Sequence, residues 1–320
     1  MKEIGGYFEI ELPMPANQPV HPNGVKVNSG RHALEYILRV LGNKVKRVWL
    51  PYYTCDVVLQ PIRRLGLEYK FYHINANLEI DSYPKLTEGE YIIVNNYFGI
   101  KDAYINKLAC QYKGKLIVDN AQAWYACEML GFNTFYSPRK FFGMPDGGLA
   151  WVTGELDYDL EQDHSYDRCS HLLKRTDLGA SDGYADFKTN SVILGKQPLK
   201  RMSPLSERIL SSIDFDWARI KRRSNFEMLH EALKVSNRFN IPSMQSFACP
   251  MVYPYLSDDE TLRNRLIENK IFVATYWPNV LEWCQEDTTE YKLAKYLLPL
   301  PIDQRYNEND MNRIIEVIYE

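Results

Sequence analysis

No stretch of this 320-residue chain approaches the roughly 18 uninterrupted apolar residues that read as a membrane-spanning helix. Net charge is nearly absent as well: 38 basic residues stand against 41 acidic ones, leaving −3 at neutral pH. With no global field, the chain is not expected to recruit nucleic acid or an anionic membrane by charge. The basic run Arg219 to Arg223 is the local exception and reads as a solvated helix face or a local phosphate or partner contact. Six cysteines (Cys55, Cys110, Cys127, Cys169, Cys249, Cys284) are dispersed, with no C-x-x-C pair and no partnered histidine spacing. They read as reduced thiols rather than a disulfide frame or a zinc site. There is no Walker loop, G-x-G-x-x-G, G-x-S-x-G or H-E-x-x-H. His164 and His171 could share a helix face, but that spacing alone makes no metal site. The N-terminal MKEIGGYFEIELP carries acids inside its apolar stretch, unlike a signal peptide. The expectation is a cytoplasmic, metal-free globular protein.

What is present is an ordinary core and many tyrosines. Apolar residues make up 45% of the chain, enough for a full interior, and the length suggests two domains. Tyr, at 23 residues, outnumbers Phe and Trp together; it can be half buried and still reach a polar partner, which suits pockets and interfaces.

The first two-thirds of the chain alternates helix-like and strand-like segments. A helix follows Asn28-Ser29-Gly30, with Ala33, Leu34, Ile37, Leu38 and Leu41 on one face, and stops at Gly42. Val48 to Leu50 is a short apolar run stopped by Pro51, and a helix is predicted from Asp56 to Leu65. Strands are predicted over Leu67–Ile74, Tyr91–Val94 and Lys115–Val118, with a helix over Tyr104–Tyr112. Short apolar strands separated by helices predict a mostly parallel sheet with helices on both faces, an α/β fold. The stretch 157–203 is polar, partly helical and then loop. Beyond it lie a long helix over Asp216–Asn237, a strand over Pro250–Leu256, a helix over Glu260–Asn269, a strand over Ile271–Ala274 and a last helix from Asn309. The expected division is a large α/β domain with an N-terminal arm over 1–205 and a smaller C-terminal α+β domain over 206–320.

In such sheets ligands bind beyond the carboxyl ends of the strands. Three features fall there. Ser29-Gly30-Arg31-His32 opens a helix, whose unpaired N–H groups can hold a phosphate, although an ordinary N-cap reads the same way. Asp119 ends a strand, where it can position a cofactor or cap a turn. Lys140 sits between proline, aromatics and a glycine turn, where desolvation would lower its pKa and make it a nucleophile toward a carbonyl. Pyridoxal phosphate asks for all three: a helix end for its phosphate, a carboxylate for its ring nitrogen and a lysine for its aldehyde.

The ordered set of motifs resembles the sugar aminotransferases of the DegT/DnrJ/EryC1/StrS type, pyridoxal-phosphate enzymes of fold type I. Asn28 to Leu34 is similar to the family's S-G-T-x-A-L turn, and Leu50-Pro51-Tyr52-Tyr53-Thr54 to its P-x-x-T. Asn96-Tyr97-Phe98-Gly99 stands where H-L-Y-G is usual, and Asp119-Asn120-Ala121-Gln122-Ala123 resembles D-A-A-Q/H-A. The spacing from Lys140 to Gly147-Gly148, then Arg201-Met202-Ser203 and Leu298-Pro299-Leu300-Pro301, completes a match through nearly the whole chain. The resemblance implies that Lys140 forms the Schiff base and shuttles the proton. Asp119 would pair with the ring nitrogen and Gln122 lie beside the ring and its phenolic oxygen. Gly30 and Arg31 would bind the phosphate through their backbone, and Arg201 would reach it from a neighbouring subunit, implying a homodimer with shared active sites.

Four departures stand out. Cys55 occupies the position of an aromatic over the ring, which Tyr52, Tyr53 or Tyr97 could replace. Phe135 takes the place of a phosphate-binding serine, for which Ser137, or else Thr134, would substitute. Asn96 replaces a histidine, and the chain is short for the family. The implied activity is transfer of an amino group, from glutamate, to a keto-sugar linked to a nucleotide. The rivals are a degenerate homologue serving as a binding or regulatory subunit, and a pyridoxal-phosphate enzyme acting on a small non-sugar substrate. Tyr276 and Trp277 are candidate substrate contacts.

Overall fold

The structure, a computed structural model, describes residues 7–13, 20–128, 131–243 and 248–320. The strands are β1 (Val25–Val27), β2 (Arg47–Pro51), β3 (Glu68–Tyr72), β4 (Glu90–Asn95), β5 (Leu116–Asn120), β6 (Asn133–Tyr136), β7 (Gly148–Trp151), β8 (Val252–Leu256) and β9 (Leu297–Pro301). The helices are α1 (Gly30–Leu41), α2 (Leu59–Arg64), α3 (Asp102–Tyr112), α4 (Ser170–Asp177), α5 (Ala180–Lys196), α6 (Pro204–Ser211), α7 (Phe215–Leu233), α8 (Leu262–Glu268), α9 (Pro278–Trp283), α10 (Thr289–Tyr296) and α11 (Glu308–Tyr319).

Seven strands form one sheet in the order β1-β7-β6-β5-β4-β2-β3. The pairings from β3 through β6 are parallel, and β7 and β1 join antiparallel at one edge. This is the mostly parallel α/β sheet that the sequence predicts. β4 and β5 are buried along their whole length, because helices cover both faces. On one face α1 packs Ala33, Leu34 and Ile37 against Val48, Ile93, Ile117 and Phe135. On the other, Ile105 and Leu108 of α3 meet Ile92, Val94 and Val118. Each fully buried Leu or Ile here contributes about 1.5–3 kcal/mol.

A second sheet pairs β8 with β9 antiparallel. A separate core, including Phe226 and Leu229 of α7, Leu262 of α8 and Met311 and Ile314 of α11, packs around it. The last helix starts at Asn307, which forms a capping box with Asp310.

Several elements differ from the sequence reading. The helix expected over Asp56–Leu65 is a 3-10 turn, Asp56–Val58, followed by the short α2. β6 is short and is not among the predicted strands, although Thr134, Phe135 and Tyr136 favour one; α9 and α10 are likewise not predicted. The polar stretch after residue 157 holds the helical pair α4 and α5. The strand expected over Ile271–Ala274 does not form. Ile271 and Val273 are buried while Phe272 is exposed, so the period of two is real. Among the described residues no strand pairs with the segment; instead Arg263 donates to the carbonyl of Ala274 at 2.8 Å. His164 precedes α4 and His171 lies on it, so the two share no helix.

The start of α1 is fixed by a neutral histidine. Ser29 caps the helix by accepting from the His32 amide. The His32 ring bonds Ser29 Oγ through Nδ1 at 2.8 Å and the Gln197 carbonyl through Nε2 at 3.0 Å. Burial pushes His32 down to about 4 from its ordinary 6.5. The unfolded chain therefore binds a proton that the folded chain refuses between those values. The neutral ring's contribution is fully present above pH 6.5 and is lost as pH falls through 4, roughly 3 kcal/mol in all. Denaturant titrations across this window should show a shallower pH dependence for His32→Gln than for the wild type.

Candidate functional site

Parallel strands deliver their carboxyl ends to one rim. Asn95 of β4, Asp119 of β5 and Phe135 of β6 lie side by side in register. Asp119 is buried, and one carboxylate oxygen accepts from the Ala121 amide at 2.8 Å. Burial raises its pKa, while the charge of Lys140 and the Ala121 hydrogen bond pull it back. The acid and the lysine thus feel each other across the rim.

Beside this rim sits the N-terminus of α1, held by two glycines with different duties. Gly147 takes φ +130° and donates to the Asn28 carbonyl at 3.0 Å. Gly148 has no room for a side chain: a Cβ there would lie 2.2 Å from the Ser29 carbonyl oxygen. A Cβ on Gly30 would lie 3.0 Å from that of Ser137, so the helix start and the residue after β6 form one cradle. Phe135 faces α1, and strand alternation puts Ser137 on the same side. Thr134 points to the opposite face beside Tyr136 and cannot stand in for Ser137. Arg31 sends its guanidinium away to Gln60 at 2.6 Å, leaving its backbone at the helix end.

Gln122 lies just beyond Asp119, buried. Its Oε1 accepts from the Phe98 amide at 3.0 Å, while Nε2 has no partner among the described residues. A buried amide with an unused donor is costly unless a ligand completes it. Asn96 is turned into its own loop, donating to Asp102 at 2.7 Å and Asn120 at 3.0 Å.

Lys140 ends a 3-10 turn, Pro138–Lys140, directly after β6. Desolvation would make this lysine a nucleophile, but the structure leaves it exposed. The reason is a cavity of about 1110 Å³ in front of it, walled by the Lys140 loop, α4, α5 and the segments near 272 and 304. Arginines 139, 175, 222 and 305 line this space against a single acid, Asp303. Burial lowers Arg139 to about 10, with Asp146 opposing the shift. These cavity arginines were missed in the sequence, since they come from four separate segments with no shared motif.

Cys55 is half buried, its thiol pushed up by burial and drawn down by Lys140 and Arg31. None of the three tyrosines offered as its replacement stands free. Tyr52 stacks on Phe71 at 4.7 Å, and Tyr53 and Tyr97 are buried against Trp277. The aromatic nearest in influence is Tyr276, raised to about 12 by burial and then by Cys55, and stacked on Phe98 at 6.1 Å. Arg201 forms a backbone bridge with Val27, just before the α1 start, and its half-exposed guanidinium pairs with Asp159 at 3.1 Å. Among the described residues no group of three His, Cys, Asp or Glu gathers as a metal site, and no helix is long and apolar enough to cross a membrane.

No family model matches the sequence, and no curated protein matches it. Solved structures do. A DegT DnrJ EryC1 StrS aminotransferase from Brucella abortus is 16% identical, covering 92% of this chain and 84% of that one at TM-score 0.61. This chain has that fold. Sugar aminotransferase CalS13 from Micromonospora echinospora is 18% identical, covering 93% and 87% at TM-score 0.62. DesI, solved in the presence of its TDP-sugar product, is 15% identical, covering 92% and 79% at TM-score 0.63. The likeness to these aminotransferases runs along nearly all of the chain and is one of fold.

Gly148→Ala tests the cradle. Its methyl group meets backbone, not a movable side chain, so the α1 start must shift. The expected outcome is a loss of about 1–3 kcal/mol in denaturant unfolding.

Proposed function

We propose that the chain is a pyridoxal-phosphate-dependent aminotransferase of the DegT/DnrJ/EryC1/StrS type. Its reaction would convert a keto-sugar, linked to a nucleotide, into an amino sugar with glutamate as donor. The observation that carries this reading is the rim itself: buried Asp119 and exposed Lys140 within electrostatic reach, beside a helix N-terminus that no Cβ may crowd.

The residues present fit the cofactor. The α1 amides and Ser137 would hold its phosphate, and the unused Gln122 donor would meet its ring oxygen. Bound there, pyridoxal phosphate supplies the aldehyde that takes up an amine and the ring that draws electrons from the adjoining carbon. Asp119, as a carboxylate, would hold a proton on the ring nitrogen, and a positive partner opposes the burial that raises its pKa. Lys140 would link to the cofactor and, once released, carry the proton as base in both halves of the reaction. Arginines 139 and 175 give the cavity positive groups suited to an anionic substrate, as a nucleotide-linked sugar would be, while Arg222 and Arg305 are engaged with protein oxygens. Arg201 would serve a neighbouring copy. Exposed Leu173, Tyr184 and Phe187 on the α4–α5 pair offer apolar surface for a homodimer. The two units are proposed to meet near residue 205, with the protein cytoplasmic.

Cys55, with its candidate replacements packed elsewhere, favours one rival: a homologue that keeps the cofactor but serves as a binding subunit. A spectrophotometric screen separates the two. Cofactor-loaded protein mixed with a panel of amino donors should lose the visible absorbance with glutamate. Lys140→Ala should abolish the change, and Asp119→Asn should slow it by roughly 100-fold or more. Loaded protein unchanged by every donor supports the binding subunit, and protein that never takes up pyridoxal phosphate contradicts both.

A further inference from the structure

The Lys140 turn is held from the C-terminal part of the chain. The carbonyl of Phe141, the next residue, receives two donors: Arg222 Nη2 at 3.1 Å and Gln304 Nε2 at 3.0 Å. Arg222 Nε donates to Oε1 of the same Gln304 at 2.9 Å, which fixes the orientation of that amide. The guanidinium also lies over the Phe141 ring, 4.6 Å from its centre. Its remaining arm, Nη1, donates to the Met251 carbonyl at 3.1 Å. The Met251 amide donates to the Phe98 carbonyl at 2.8 Å, and the Phe98 amide donates to Gln122 at 3.0 Å. A series of hydrogen bonds therefore joins the peptide after Lys140 to Gln122, on the other side of the site, through Arg222.

This arginine is 1% exposed. The acid it feels most is Asp303, which is held by Arg305 at 2.7 Å instead. A buried guanidinium that spends its donors on neutral oxygens is a costly way to fill space. What it does that an apolar side chain or a lysine cannot is grip three oxygens at once in a planar fork. Arg222 and Gln304 are also among the residues lining the cavity in front of Lys140.

We infer that Arg222 and Gln304 are positioning residues: through the Phe141 carbonyl they set the placement of Lys140 and tie it to Gln122. The inference rests on the aminotransferase reading. The test uses the full chain loaded with pyridoxal phosphate, as wild type, Arg222→Lys, Gln304→Leu and the double variant. Two properties are read: the pH midpoint of the bound cofactor's visible band, and the saturating rate constant (kcat) and half-saturating concentration (KM) of the single-turnover half-reaction with glutamate. Amide hydrogen exchange over residues 140–143 is read in the unloaded protein. Each single variant should still take up the cofactor, shift the pH midpoint and lower kcat about 10-fold with KM changed less than about 2-fold. The double variant should lose less than the product of the two, because both act on one carbonyl. Exchange over 140–143 should quicken in each. Variants with wild-type midpoint, kcat and exchange, even if less heat-stable, overturn the inference. Should Arg222→Lys fail to fold, Gln304→Leu alone decides. A wild type that takes up no cofactor sinks the functional reading and leaves hydrogen exchange to judge the clamp.

Discussion

Backbone against backbone is what the rest of this site depends on. Gly148, at the start of β7, lies so close to Ser29 and Gly30 that a methyl group would sit inside the van der Waals shell of the α1 start. The antiparallel strand β7 and the first helix are locked together there, at the rim where the parallel strands end. That contact places the helix amides beside Ser137, and it does so without any side chain that could intrude on a ligand. The His32 ring and the Asn28 turn then hold the same junction from the other side.

A second constraint acts from the far end of the chain. Asp119 and Gln122 are set by a sheet whose central strands are buried on both faces, a rigid support. Lys140 is set by a three-residue turn, which on its own has few restraints. Its support comes from α7 and the segment near residue 304, which hydrogen-bond to the turn directly. The rim is therefore built partly from the sheet and partly from the C-terminal core, and its geometry depends on how the two meet. A cavity rich in arginine between them is where such a dependence would be felt by a bound anion.

Much of the fold was legible because its signals are local. The apolar face from Ala33 to Leu41, the runs in β4 and β5 and the Gly42 stop are short-range patterns, and they stand close to where they were placed. The segment Ile271–Ala274 shows the limit of that reasoning. Its alternation is a true record of burial, but a strand also needs a neighbour, and Arg263 satisfies the carbonyl instead. β6 fails in the opposite sense: four residues beginning with Asn become a strand because β5 and β7 flank them. For the site, Gly30, Asp119 and Lys140 could be singled out from their places at the ends of elements, and Gln122 and Ser137 only through the family resemblance. Arg139, Arg222 and Gln304 could not, because nothing in the chain order announces that α7 and the stretch before α11 fold back to the Lys140 turn. The exposure of Lys140 was missed for the same reason, since the cavity before it is assembled from distant segments.

The central claim is that one lysine, at the end of the 3-10 turn after β6, is the attachment point of a pyridoxal cofactor. Borohydride reduction of cofactor-loaded protein followed by peptide mass mapping tests it most directly. The account predicts a single fixed pyridoxyl adduct, on the peptide containing Lys140. Adduct spread over surface lysines, or found on a different single lysine, would contradict it.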